Sequence, residues 1–198
     1  MKQLTRFLFC GLACLGLAAC NATAPKHDPA YAPVRLEADL SALDLGQIEV
    51  LNLLIEAANV MDELFWLQAY GPSESFLAGI ADADARTFAE INYGPWDRLN
   101  EDAPFLPGYA EKPLGARFYP EDMSKEEFDE AYLPGKKSQY SLIRRNDEGA
   151  LQLVPYHVAY ATELREAAAL LREAAKLAES ADFANYLKLR AAALISDE

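Results

Sequence analysis

LGQIEVLNLLIEAANVMDELFWLQAY, residues 45–70, sets the architecture. Leu51, Leu54, Ala58, Met61 and Phe65 recur at three- and four-residue spacing, while Glu49, Asn52, Glu56, Asn59 and Glu63 form an opposite stripe. That is the pattern of an amphipathic helix, and Gly71-Pro72 ends it. A second helix is predicted from a Ser73 cap to about Ile91, marked by Phe76, Ile80, Phe88 and Ile91. The helical period returns from Tyr156 to Glu179, through Tyr160, Leu164, Ala167, Leu171, Ala174 and Ala178. It returns again after Ser180, through Phe183, Leu187, Ala191 and Leu194. Residues 139–154 alternate instead, with Tyr140, Leu142 and Arg144 on one side and Ser141, Ile143 and Arg145 on the other. With Asn146-Asp147-Glu148-Gly149 as its turn, that segment is a β-hairpin. The expected class is mostly α with a small β-hairpin (α+β).

Residues 92–135 hold six prolines and four glycines, a density that regular elements do not tolerate. They also carry Tyr93, Trp96, Phe105, Tyr109, Phe118, Tyr119 and Phe128. Aromatic side chains of that size pack against something, so an ordered loop draped over a core is expected. Inside it, Ser124 and Glu127 have the spacing of a capping box for a short helix through Tyr132.

The beginning of the chain has a different character. Lys2 and Arg6 precede an apolar run, Phe7–Leu17, which is too short to span a bilayer. Leu17-Ala18-Ala19-Cys20 resembles a bacterial lipobox. The resemblance implies a lipoprotein signal peptide over residues 1–19 and acylation of Cys20, palmitate being one such acyl group. Asn21 in place of Asp implies sorting to the outer membrane, facing the periplasm. Acyl chains hold firmly, because each buried CH₂ contributes about 0.8 kcal/mol. Residues 20–40, rich in Ala and Pro near their start, are expected to form a lipidated tether, and 41–198 the folded domain.

The 198 residues carry 31 acidic and 18 basic side chains, a net charge of −13. Such a surface repels phosphate backbones and anionic lipid, so nucleic acid is excluded as a partner and the membrane is reached through the lipid only. Cys10, Cys14 and Cys20 all lie in or beside the leader, which leaves the domain without a disulfide, a zinc–thiolate cluster or a cysteine nucleophile. His27 and His157 are the two histidines. No His-Glu-x-x-His, phosphate-cradling glycine loop or Glu-x-x-His element appears. Glu49, Glu56 and Glu63 therefore read as a solvated face, and His157 as a hydrogen-bonded structural residue. Arg144-Arg145 could clamp a carboxylate, although the excess of acidic residues favours an internal ion pair.

The densest chemistry is Asn92-Tyr93-Gly94-Pro95-Trp96-Asp97-Arg98-Leu99. Its aromatic platform beside Asp97 and Arg98 could line a ligand cleft. The same residues could lock a loop, which is the reading the residue types favour. Arg117 and Tyr119 belong to the same set of cleft or loop-locking candidates.

The string Ile91–Leu99, followed by Pro113-Leu114-Gly115-Ala116-Arg117-Phe118-Tyr119-Pro120-Glu121-Asp122-Met123, resembles the bacterial zinc hydrolases related to dipeptidyl peptidase III. The hairpin, Pro155-Tyr156-His157 and Leu187–Asp197 resemble the same family in the same order. The resemblance implies the helical N-terminal region of a larger metallopeptidase-like fold. In that family a His-Glu-x-x-Gly-His helix and a later glutamate hold zinc and catalyse hydrolysis, and no position of this chain matches them. The expectation is thus a non-catalytic portion, with no catalytic or metal-binding residue of its own. Zinc and peptide substrate would belong to the full-length form, and the partner would be a missing C-terminal catalytic region. The final helix, still apolar at Leu194-Ile195, agrees with a continuation. The alternative is a free-standing envelope lipoprotein acting as a binding or structural module.

Overall fold

The structure is a computed structural model that describes residues 31–32 and 34–197. The expectations for the signal peptide, for Cys20, for His27 and for the tether up to residue 30 lie outside the described residues. Tyr31, within the segment read as tether, sets its ring 6.0 Å from that of Phe88.

Helix α1 is Leu45–Ala69. Asp44 and Gln47 exchange side-chain-to-backbone hydrogen bonds, Gln47 N to Asp44 Oδ1 at 2.9 Å and Asp44 N to Gln47 Oε1 at 3.2 Å. This capping box satisfies amides that the helix itself leaves orphaned. At the far end the amides of Tyr70 and Gly71 both donate to the Trp66 carbonyl. The buried stripe is Val50, Ala57 and Leu64, with Leu53, Leu54 and Leu67 partly covered. Met61 and Phe65, expected on the apolar face, are 41% and 47% exposed. Apolar residues lie nearly all round this helix, so its period alone could not choose the buried side.

The single helix predicted for residues 73–91 is two, α2 (Ser73–Ala78) and α3 (Ala83–Asn92). Asp82 caps α3 by accepting from Ala85 N at 2.8 Å. Arg86 donates to the Ile80 carbonyl through Nε and Nη2 at 3.1 and 2.7 Å, pairing a carbonyl that the break exposes. Ser73 does not cap. Its hydroxyl donates to Glu63 Oε2 at 3.1 Å.

The Pro- and Gly-rich segment is ordered. It contains a two-residue antiparallel ladder, β1 (Trp96–Asp97) with β2 (Ala103–Pro104), too short to show as alternation in the sequence. Helix α4 is Lys125–Glu130, ending before the expected Tyr132. Only half of the expected capping box forms: Ser124 Oγ accepts from Glu127 N at 3.0 Å, while both Glu127 carboxylate oxygens accept from Arg145. The stronger charge-assisted pair takes the side chain.

The hairpin is β3 (Ser141–Arg145) with β4 (Leu151–Pro155), antiparallel from Ser141 opposite Pro155 to Arg145 opposite Leu151. Leu142 and Ile143 are both 2% exposed, so both faces of β3 are covered. The helix predicted over 156–179 is interrupted at Tyr160 (φ −120°, ψ 34°), giving α5 (Tyr156–Ala159) and α6 (Ala161–Leu177). No glycine or proline marks this break. Tyr160 still donates to Tyr156 O and accepts from Leu164 N, and its ring is buried at the junction. Helix α7, Ala181–Leu194, starts at a Ser180 cap.

Helix α6 packs on α1 on one side and on α7 on the other. Ala167, Ala168, Ala174, Ala175 and Ala191 are at most 4% exposed, and these small residues let the backbones approach closely. One core cluster joins Val50, Ala174, Ala175 and Leu187. A second joins Leu64, Leu142, Tyr160 and Leu164, with Phe118 and Leu194 against them. Val50 near the start of α1 thus meets the end of α6, and Leu64 near its end meets the start of α6, so the two helices run antiparallel. The third cluster is Trp66, Phe76, Ile80 and Ala89, over which Tyr70, Tyr93 and Phe105 lie. The fold is mostly α with a small β-hairpin, plus one further minimal ladder. Among the described residues no helix is long and apolar enough to cross a membrane.

Candidate functional site

The turn out of α3 organises the first group of candidates. Tyr93 takes the left-handed conformation (φ 54°) as the cap of α3, and Gly94 continues at φ 147° with the Trp96 ring close to its α-carbon. Asn92 is 5% exposed; its Nδ2 donates to Phe88 O at 2.9 Å and its Oδ1 accepts from Arg98 N at 3.0 Å. Tyr93 Oη donates to Asp62 on α1, and this carboxylate together with burial raises the phenol above its ordinary value. Arg98 donates to the Ile91 carbonyl and lies 5.9 Å from the Tyr93 ring centroid. Trp96 is 9% exposed and donates through Nε1 to Ala110 O at 2.9 Å. Asp97 Oδ1 accepts from Leu99 N at 2.9 Å, and its carbonyl accepts from Asn100 and Asp102.

These five side chains thus engage backbone groups and neighbours of their own loop and of α1. Around them the Tyr70 ring lies 4.3 Å from that of Phe76 and 5.8 Å from that of Trp96, tilted against both. Burial, followed by a hydrogen bond to the Tyr109 hydroxyl at 3.3 Å, pushes the Tyr70 phenol up to about 12.

Arg117 and Tyr119 lie elsewhere. With Ala116, Pro120, Glu121, Asp122, Arg144 and Arg145 they line a separate open cavity of about 380 Å³. Arg145 is held on all sides: Nε donates to both Asp122 oxygens at 3.1 and 2.8 Å, Nη1 and Nη2 to Glu127 at 2.8 and 2.9 Å, and Nη1 also to Gly149 O. This internal ion network depresses the Asp122 and Glu127 carboxyls below their ordinary values. Arg144 behaves otherwise. Its Nη1 donates to two carbonyls, Ile143 O at 2.8 Å and Phe118 O at 3.3 Å, and no carboxylate among the described residues pairs with it. The sequence treats the two arginines as one motif, and nothing in it separates their fates.

Glu56 and Glu63 line a larger cleft, about 730 Å³, with Glu74, Glu163, Glu166 and the apolar Val60, Leu67 and Leu170. Glu163 and Glu166, three residues apart on α6, line the same cleft without a hydrogen bond or ion pair to Glu56 or Glu63 among the described residues. His157 Nδ1 lies 2.7 Å from Asp197 Oδ2, and its amide donates to the same carboxylate at 3.1 Å. Among the described residues no group of three or more His, Cys, Asp or Glu could hold a metal ion.

No protein-family model matches the chain. Two solved structures do. Dipeptidyl peptidase III from Caldithrix abyssi superposes with a TM-score of 0.78 at 36% identity, covering 85% of this chain and 34% of that one. The fold is dipeptidyl-peptidase-III-like. Dipeptidyl peptidase III from Corallococcus sp. strain EGB gives a TM-score of 0.77 at 32% identity over the same shares. Among curated proteins, Nudix hydrolase 3 of Arabidopsis thaliana is 27% identical over 231 aligned positions, 85% of this chain and 30% of that protein. The chain spans about a third of the length of each of these relatives. The Nudix match is distant, and that protein's name carries no activity to this chain.

Proposed function

We propose that this chain is the N-terminal, non-catalytic portion of a lipid-anchored, dipeptidyl-peptidase-III-like zinc hydrolase whose full-length form cleaves peptides. The observation that carries the reading is the superposition of 85% of the chain on only 34% of a dipeptidyl peptidase III, at 36% identity. In this reading zinc and the catalytic groups belong to the rest of the protein. The helices and the aromatic loop supply one wall of the cleft, and acylated Cys20 holds the assembly at the outer membrane facing the periplasm.

The test is a peptidase assay on the purified 198-residue chain, with and without added zinc. The expected result is no release of dipeptides under either condition. Chelator-sensitive peptidase activity from this chain alone would overturn the non-catalytic role.

A further inference from the structure

The cavity beside β3 holds a cation that no carboxylate among the described residues neutralises. Three guanidinium groups line it. Arg145 is held by Asp122 and Glu127, and Arg117 is offset by Glu121 at 3.3 Å, a solvent-exposed pair. Arg144 is left with carbonyl partners on one side of its fork. In a chain of net charge −13, a half-buried arginine without a carboxylate partner among the described residues stands out. Burial also lowers its basicity, which an anion beside it would reverse.

The backbone around it is built to stay in place. Arg117 N donates to Gln68 O on α1 at 3.0 Å, and Ile143 N donates to Phe118 O at 3.0 Å, so residues 117–118 are strapped between α1 and β3. Gly115 and Ala116 both take positive φ, 76° and 46°, to enter that strap. Tyr119 forms the aromatic rim, edge-on to Phe128 at 5.9 Å. A pre-placed guanidinium fork with an aromatic wall suits a planar oxyanion. Charge decides between a monoanion and a dianion. Glu121 and Asp122 also line the cavity, so each further negative charge on a ligand meets added repulsion.

We propose that Arg144, assisted by Arg117 and rimmed by Tyr119, binds a single carboxylate group. This site stands independently of the peptidase reading. The shared chemistry could come from a small free carboxylate or from the terminus of a peptide.

The test is titration of the full chain with acetate, N-acetyl-dialanine, the amide of that peptide, and inorganic phosphate, followed by the Nε–Hε resonances of arginine. The Arg144 resonance moves saturably with acetate or the peptide acid, and whichever binds more tightly names the source. Arg144→Gln weakens binding about tenfold or more, Arg117→Gln several-fold, and Arg172→Gln, on the outer face of α6, leaves it unchanged. Arg117→Gln keeps the comparison alive if loss of the Arg144 carbonyl bonds unfolds the protein. An Arg144 resonance that does not move overturns the proposal. So does equal binding of acid and amide, phosphate binding more tightly than either carboxylate, or equal weakening by Arg172→Gln.

Discussion

Arg144 and Arg145 are neighbours on β3 with opposite surroundings, and that difference is set by residues far away in sequence. Asp122 and Glu127 come from the loop and α4 to hold Arg145, while Arg144 donates to the carbonyls of Phe118 and Ile143. Sequence could identify an arginine pair suited to carboxylates, but not which member was already occupied. Asn92 and Trp96 were more legible: a polar amide and an indole beside a glycine turn need partners when buried, and the backbone of α3 and of the loop provides them. Gly115 is where the backbone constrains residue choice most. It sits at φ +76°, and a β-carbon there would lie 2.4 Å from Cδ2 of Tyr119. Gly115→Ala is expected to destabilise the chain by about 1–3 kcal/mol and to displace Tyr119 from the cavity rim. Urea unfolding measures the first effect, and the Tyr119 ring resonances report the second.

The caps at Ser124 and Ser180 were readable as helix starts, while Asp82, which caps α3 by the same means, was hidden inside an apolar period and the expected Ser73 cap does not form. The break between α2 and α3 does carry local marks, Gly79 at the end of α2 and Asp82 capping α3, which the apolar period across residues 73–91 overrode, whereas the one at Tyr160 rests on the ring's place in the core and leaves none. The buried side of α1 was similarly hidden, because α6 covers one face and the Trp66 cluster another. Helix α4 has no fully buried residue of its own. The Arg145 network ties it to β3. Both carboxyls in that network are depressed in the folded state, chiefly by hydrogen bonds from Arg145. Their contribution to stability is therefore complete above their ordinary values of 3.8 and 4.5 and is lost as pH falls through the lowered folded ones. Arg145→Met should be less stable than the parent at neutral pH, with the gap in urea midpoint closing as the solution is acidified. A gap that stays constant with pH would assign the loss to packing of the arginine stem instead.

At the scale of the whole molecule, helical periodicity and one alternating segment were enough for the class, mostly α with a hairpin. The resemblance carried by residues 91–99 and 113–123 pointed to dipeptidyl peptidase III, and the structure superposes on two such proteins over 85% of the chain. What neither periodicity nor spacing could supply was the placement of the Pro- and Gly-rich segment. Its order comes from rings such as Phe105 and Tyr109 packing on α2 and α3, contacts with no sequence period. In the proposed function this unit works as part of a longer hydrolase. The direct measurement is the mass of the native protein, immunodetected from membranes with an antibody against residues 92–122. A band well above 21.9 kDa is expected; a band at or just below that mass would overturn the proposed function and leave a short lipoprotein that acts on its own.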